Sequence, residues 1–159
     1  MSFFKNQNSI ASVEPVITVS AETVAKVSNR VELKSQIIEF EADPSSDLIA
    51  LVTRANTQDY SHRSKKGLVF IFDKNIKSGE YTFKNSPFAN FYYFETGTIP
   101  GFTTSHEYKP TQGSFTVEVI SNTSEKLHYN INFDFKAVHK GDELSIKGQS
   151  TYIVLFRTL

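Results

Sequence analysis

The side chains that could do chemistry here are four histidines, a scatter of carboxylates and the serine and threonine hydroxyls, and their spacing limits what that chemistry can be. His62, His106, His128 and His139 form neither His-x-His nor His-Glu-x-x-His, the patterns that put metal-binding or hydrolytic groups on one face of an element. Among the carboxylates, Glu39, Glu41, Glu80, Glu95 and Glu107 could supply an acid and base pair for a hydrolase. Glu39 and Glu41 share one strand face, but Ile38 and Phe40 make the opposite face the buried one, so the two carboxylates are expected to face water. Gly113-Ser114-Phe115 is the nearest approach to a nucleophile turn and lacks the second glycine of Gly-x-Ser-x-Gly. Asp43-Pro44-Ser45-Ser46-Asp47 is the one short run rich in oxygen ligands, and it reads as a proline-containing turn between strands. With no cysteine, thiolate metal sites, disulfides and a cysteine nucleophile are excluded. The seven glycines are dispersed, which removes the phosphate-cradling loops. The expectation is therefore no catalytic residue, no metal and no cofactor.

Aromatic residues give a stronger signal. Tyr81, Phe83, Phe88, Phe91, Tyr92, Tyr93, Phe94, Phe102 and Tyr108 fall within one stretch of the chain. In Phe91-Tyr92-Tyr93-Phe94 both parities are aromatic, so a strand there carries a ring on each face, and only one face can belong to an ordinary core. The other face must be covered or used. Tyr92, Tyr93, Thr104, His106 and Tyr108 are the expected ligand-binding residues, rings supplying contact area and Thr103, Thr104, Ser105 and His106 supplying polar contacts, unless a loop over 95–104 covers the aromatic face. A second expected contact is His62, Arg63, Lys65 and Lys66, a basic cluster in a long loop over 54–66 that suits an anionic partner.

The elements that must position these residues read as strands. Leu127, Tyr129, Ile131, Phe133, Phe135 and Ala137 alternate with His128, Asn130, Asn132, Asp134 and Lys136, the period of a strand with one buried face. Phe115, Val117 and Val119 precede this strand, and Leu144 and Ile146 follow it after a Gly141 turn, predicting an antiparallel meander. Parity then becomes ambiguous along Tyr152 to Phe156, which predicts either burial on both faces or a bulge near Gly148. Shorter apolar runs predict strands over 13–19, 36–41, 48–53, 67–72, 79–84 and 89–94. The spacing of Val24, Val27 and Val31 behind Ser20 predicts a short helix over 21–29. The fold class is all-β: an antiparallel, jelly-roll-like β-sandwich of about eight to ten strands, with a calycin-like β-barrel as the alternative.

Residues 1–159 suffice for a single β domain, with 1–9 a flexible N-terminal segment. Seventeen basic residues balance seventeen acidic ones, so the strong positive field of a nucleic-acid binder is missing. The opening residues lack the apolar run of a secretory signal, and no stretch approaches the ~20 apolar residues of a membrane helix. The expected protein is soluble and cytoplasmic, leaderless export being the alternative. Elimination leaves a non-catalytic binding module for a carbohydrate or a protein surface, followed by an assembly subunit acting through oligomerisation and, third, a carboxylate-based hydrolase.

Overall fold

A computed structural model describes Phe4 and residues 16–56, 65–99 and 102–157. These form ten strands: β1 (Val16–Val27), β2 (Leu33–Lys34), β3 (Ile37–Ala42), β4 (Leu48–Asn56), β5 (Lys65–Asp73), β6 (Gly79–Thr82), β7 (Phe88–Ile99), β8 (Phe102–Asn122), β9 (Lys126–His139) and β10 (Asp142–Arg157). All pairings are antiparallel, in the order β2-β1-β10-β9-β8-β7-β5-β4-β3, with β6 added to β8. Most neighbours in this order are also sequence neighbours, the connectivity of a meander.

The two ends of the order belong to one stretch of chain. Leu33 and Lys34 pair with β1, the Ser35 N–H donates to the Thr23 carbonyl (3.0 Å), the Gln36 N–H donates to the Arg54 carbonyl (2.7 Å), and Ile37 onward pairs with β4. The sheet thus curls back on itself into a barrel-like wall. Three hydroxyls inside fasten the closure: Thr23 of β1 lies 2.7 Å from that of Thr53 on β4 and 2.6 Å from that of Ser150 on β10. The fully buried Tyr152 hydroxyl faces this cluster, and burial raises its pKa. On the opposite side the wall splits. β8 pairs with β7 over residues 102–108 and with β9 from Lys109 onward, while β6 takes the vacated edge at Ser114–Val117.

Rings fill the interior at that split. Phe70 stacks on Phe91 (4.5 Å between centroids), Phe91 meets Phe115 and Phe135 edge-on (5.0 and 4.6 Å), and Phe88 meets Phe115 (5.0 Å). Burying an aromatic side chain removes roughly 150–250 Å² from water, so this cluster dominates the apolar contribution to folding.

Several sequence expectations are corrected. The segment 21–29 is not helical: Thr23, Ala25 and Val27 point inward and Glu22, Val24 and Lys26 outward, the alternation of β1. Branched side chains restrict χ1 in a helix and suit the pleat, so the helical spacing of the valines is coincidental. No bulge occurs near Gly148, where register runs unbroken against both β1 and β9. A Cβ there would strike the Val24 carbonyl and Ala25, so the glycine permits close approach of β1 to β10. Residues 95–99 and 102–104 extend β7 and β8 rather than forming a loop. Asp43 is spent locally, accepting from the Ser45 amide and the Ser45 and Ser46 hydroxyls, which hold its carboxyl below the usual range, the Ser46 bond most. Residues 1–3 and 5–9 of the predicted flexible segment lie outside the described residues, and the Phe4 N–H donates to Glu41 Oε1 (2.9 Å). Among the described residues, no helix is long and apolar enough to cross a membrane.

Candidate functional site

β7 divides its aromatic residues between two faces. Phe91 and Tyr93 point into the barrel and are buried, whereas Tyr92 and Phe94 point outward and are half-buried. The outward row continues across the sheet by register: Tyr92 lies opposite Val69 on β5, Val69 opposite Val52 on β4, and Val52 opposite Glu39 on β3. One step along, Phe94 lies opposite Gly67 on β5 and Glu107 on β8. Although on the outer face, Val52 and Val69 are only 2% and 1% exposed. The inner face of the same strands is the aromatic core, so this half of the sheet is apolar on both sides.

Together these residues line a recess of about 130 Å³, floored by Val52, Val69, Tyr92 and Phe94 and rimmed by Glu39, Arg54, Lys65, Thr96, Ser105 and Glu107. Gly67 makes room for it. A Cβ there would collide with the Thr53 carbonyl oxygen and with the ring of Phe94, so only glycine lets that ring lie against β5. Arg54 pairs with Glu39 on the rim, and its buried Nε finds no acceptor among the described residues. The Tyr92 hydroxyl is held above its ordinary pKa by burial and then by the nearby Glu107 carboxylate. Tyr92 therefore presents a neutral phenol at physiological pH, able to donate or accept a hydrogen bond beside a formal negative charge.

The other residues singled out from the sequence lie elsewhere. Tyr93 is wholly buried on the inner face, and its hydroxyl donates to Glu95 Oε2 (2.9 Å). Glu95 in turn accepts from Arg30 Nε (2.9 and 3.1 Å), a bond that raises the Arg30 pKa. Tyr108 is buried beside Tyr93, with centroids 5.8 Å apart. His106 is exposed at the same end of the barrel, and Thr104 occupies β8 opposite Gly97. Tyr93, His106 and Tyr108 thus gather at the barrel end, separated from Tyr92 by the thickness of the sheet. Of the basic cluster, His62 and Arg63 lie outside the described residues. Lys65 lines the recess, while Lys66 is 3% exposed and its Nζ donates to the Val31 and Glu32 carbonyls (2.7 and 3.2 Å). Lys66 closes the β1–β2 turn onto β5 and presents no charge to solvent.

Of the expected polar contacts Ser105 does line the recess, whereas Glu39, Val52, Arg54, Val69, Phe94, Thr96 and Glu107 are not grouped by the sequence. A signal existed in Leu68-Val69-Phe70-Ile71-Phe72, whose unbroken apolar run marks a strand covered on both faces. Comparison of the chain with family models, curated proteins and solved structures finds no match, so the residues themselves carry the functional reading.

Proposed function

We propose that the protein is a non-catalytic binding module whose contact surface is the outer-face recess over β3, β4, β5, β7 and β8, and whose ligand is a polypeptide that inserts one side chain. The observation that carries this reading is the outward pair Tyr92 and Phe94 above Val52 and Val69, on strands whose core is already complete on the other face. Pockets that enclose a drug-sized ligand span roughly 300–1,000 Å³, so a recess this small suits a single anchoring group. Its apolar floor accepts the stem of a side chain, and its rim offers both signs of charge and two hydroxyls for the polar tip. A single sugar ring against Tyr92 is the second reading, favoured by the hydroxyls of Thr96 and Ser105 on the rim. Oligomerisation has weaker support: the exposed large apolar side chains are divided among β1 (Ile17, Val24), the turn after it (Val31), β3 (Ile37), the segment after β6 (Phe83) and β8 (Ile120).

Peptide and glycan arrays probed with the wild type and with Tyr92→Ala separate these readings, Phe83→Ala serving as a control away from the recess. Retention on peptides that falls about 30-fold in Tyr92→Ala, the ~2 kcal/mol of a central aromatic anchor, is the expected result. The same loss confined to glycans selects the second reading. Equal binding by wild type and Tyr92→Ala refutes the recess as the contact.

A further inference from the structure

The barrel end carries a second constellation, independent of the recess. We propose that His106 and His139 form a two-imidazole chelate for a divalent transition metal, with Cu(II) and Ni(II) preferred over Zn(II). The two histidines are 33 residues apart and meet because β8 and β9 are paired.

His106 Nδ1 lies 3.0 Å from His139 Nε2, and His139 Nδ1 lies 3.1 Å from the Glu107 carbonyl oxygen. A carbonyl oxygen only accepts, so the hydrogen-bond pattern assigns the His139 proton to Nδ1 and leaves the Nε2 lone pair directed at His106. A backbone carbonyl on the far nitrogen is the outer support that orients metal-ligating imidazoles and raises their basicity. The Tyr108 ring, 5.5 Å from that of His139, fixes the same imidazole from the side.

Metal–imidazole bonds are about 2.0–2.1 Å long, so two nitrogens 3.0 Å apart subtend about 90° at a shared ion. That is the cis angle of square-planar and octahedral sites, whereas a tetrahedral ion needs the nitrogens further apart. Binding requires the His106 proton to move from Nδ1 to Nε2 and each ring to turn its ligating nitrogen by about 45°, so that both lone pairs leave the N···N line and meet at the ion. The imidazole stays neutral, and Nδ1 contributes its lone pair to the ion.

His106 is exposed and His139 partly so, which gives an ion a route in. The carboxylate opposite His106 in register, Glu95, is committed to Arg30 and Tyr93. Among the described residues no group of three or more metal-ligating side chains exists. The site is therefore bidentate and exchangeable, with its other positions left to water or an incoming ligand.

The test is titration of the tag-free full chain with Cu(II), and separately Ni(II) and Zn(II), in a non-coordinating buffer. The readouts are the Cu(II) electron paramagnetic resonance spectrum and paramagnetic broadening of histidine ring signals. The expected result is one equivalent of Cu(II) with nitrogen hyperfine structure, broadening at His106 and His139, and Ni(II) bound more tightly than Zn(II). His106→Asn and His139→Asn should each weaken Cu(II) at least about tenfold with unchanged urea midpoints, and His128→Asn should not. Equal affinity in wild type and both variants, or broadening centred on His128 or His62, overturns the site. Zn(II) bound more tightly than Ni(II) overturns the assigned geometry.

Discussion

β9 and β5 are both central strands, yet their outer faces differ in kind. On β9, buried Leu127, Tyr129, Ile131, Phe133, Phe135 and Ala137 alternate with Asn132, Asp134 and Lys136 in solvent. On β5, Leu68, Phe70 and Phe72 fill the interior, and Val69 on the outer side is just as buried. Outside the barrel β9 shows polar side chains, half-buried at His128 and Asn130 and solvated from Asn132 to Lys136. β5 lies instead beneath side chains borrowed from its neighbours, and that apolar outer layer forms the recess. The difference teaches that binding surface arises where a strand is hydrophobic on the side folding does not require.

The comparison is broken or sharpened by substitutions on the two faces. Phe70→Ala removes a ring that touches Phe88, Phe91, Phe133 and Tyr152, and should cost about 3–5 kcal/mol in urea unfolding. Val69→Asn buries an amide under Tyr92 and should cost about 1–3 kcal/mol. A loss below 0.5 kcal/mol, on the order expected for a surface change, would show the outer face of β5 to be ordinary surface. Asn132→Ala on β9 should fall within about 0.5 kcal/mol of wild type by the same measurement.

A pH series probes the inner face separately. Burial raises the pKa of Tyr93, Tyr129 and Tyr152 above the ordinary value of 10.0. The stability they contribute is complete below pH 10 and declines as the pH rises beyond it, because the unfolded chain releases phenolic protons that the folded one retains. Urea midpoints should fall between pH 9 and pH 11, with tyrosinate absorbance from these rings rising only as the chain unfolds. Tyrosinate forming fully in the folded protein would contradict their burial.

The legible part of the fold was the part facing water. Residues 115–119 of β8, all of β9 and the start of β10 are legible because their outer side chains are polar, so polar and apolar residues take turns. The strand at 21–29 is masked because inward Thr23 is polar while outward Val24 is apolar, so Val24, Val27 and Val31 mimic a helical spacing. Within the site, the two faces of Phe91–Phe94 were visible from parity alone. The grouping of Glu39, Arg54, Val69 and Glu107 was not, since it depends on register across five strands. His106 and His139 were hidden for a related reason. The register shift between Pro110 and Gln112 changes which parity of β8 points inward, from His106 and Tyr108 to Phe115 and Val117, and no local spacing announces it.

The pairing of β1 with β10, from Val16 against Arg157 to Val27 against Ile146, also governs how the protein is made. β1 is synthesised first among the strands, and its principal partner is synthesised last. During translation the meander can form hairpin by hairpin while β1 waits, its backbone donors and acceptors hydrated. Closing so long a span is entropically expensive, which places folding in the millisecond-to-second range of non-local β topologies. A nascent chain stalled before β10 would hold β1 only through its short pairing with β2, leaving most of that strand edge open to pairing with another chain.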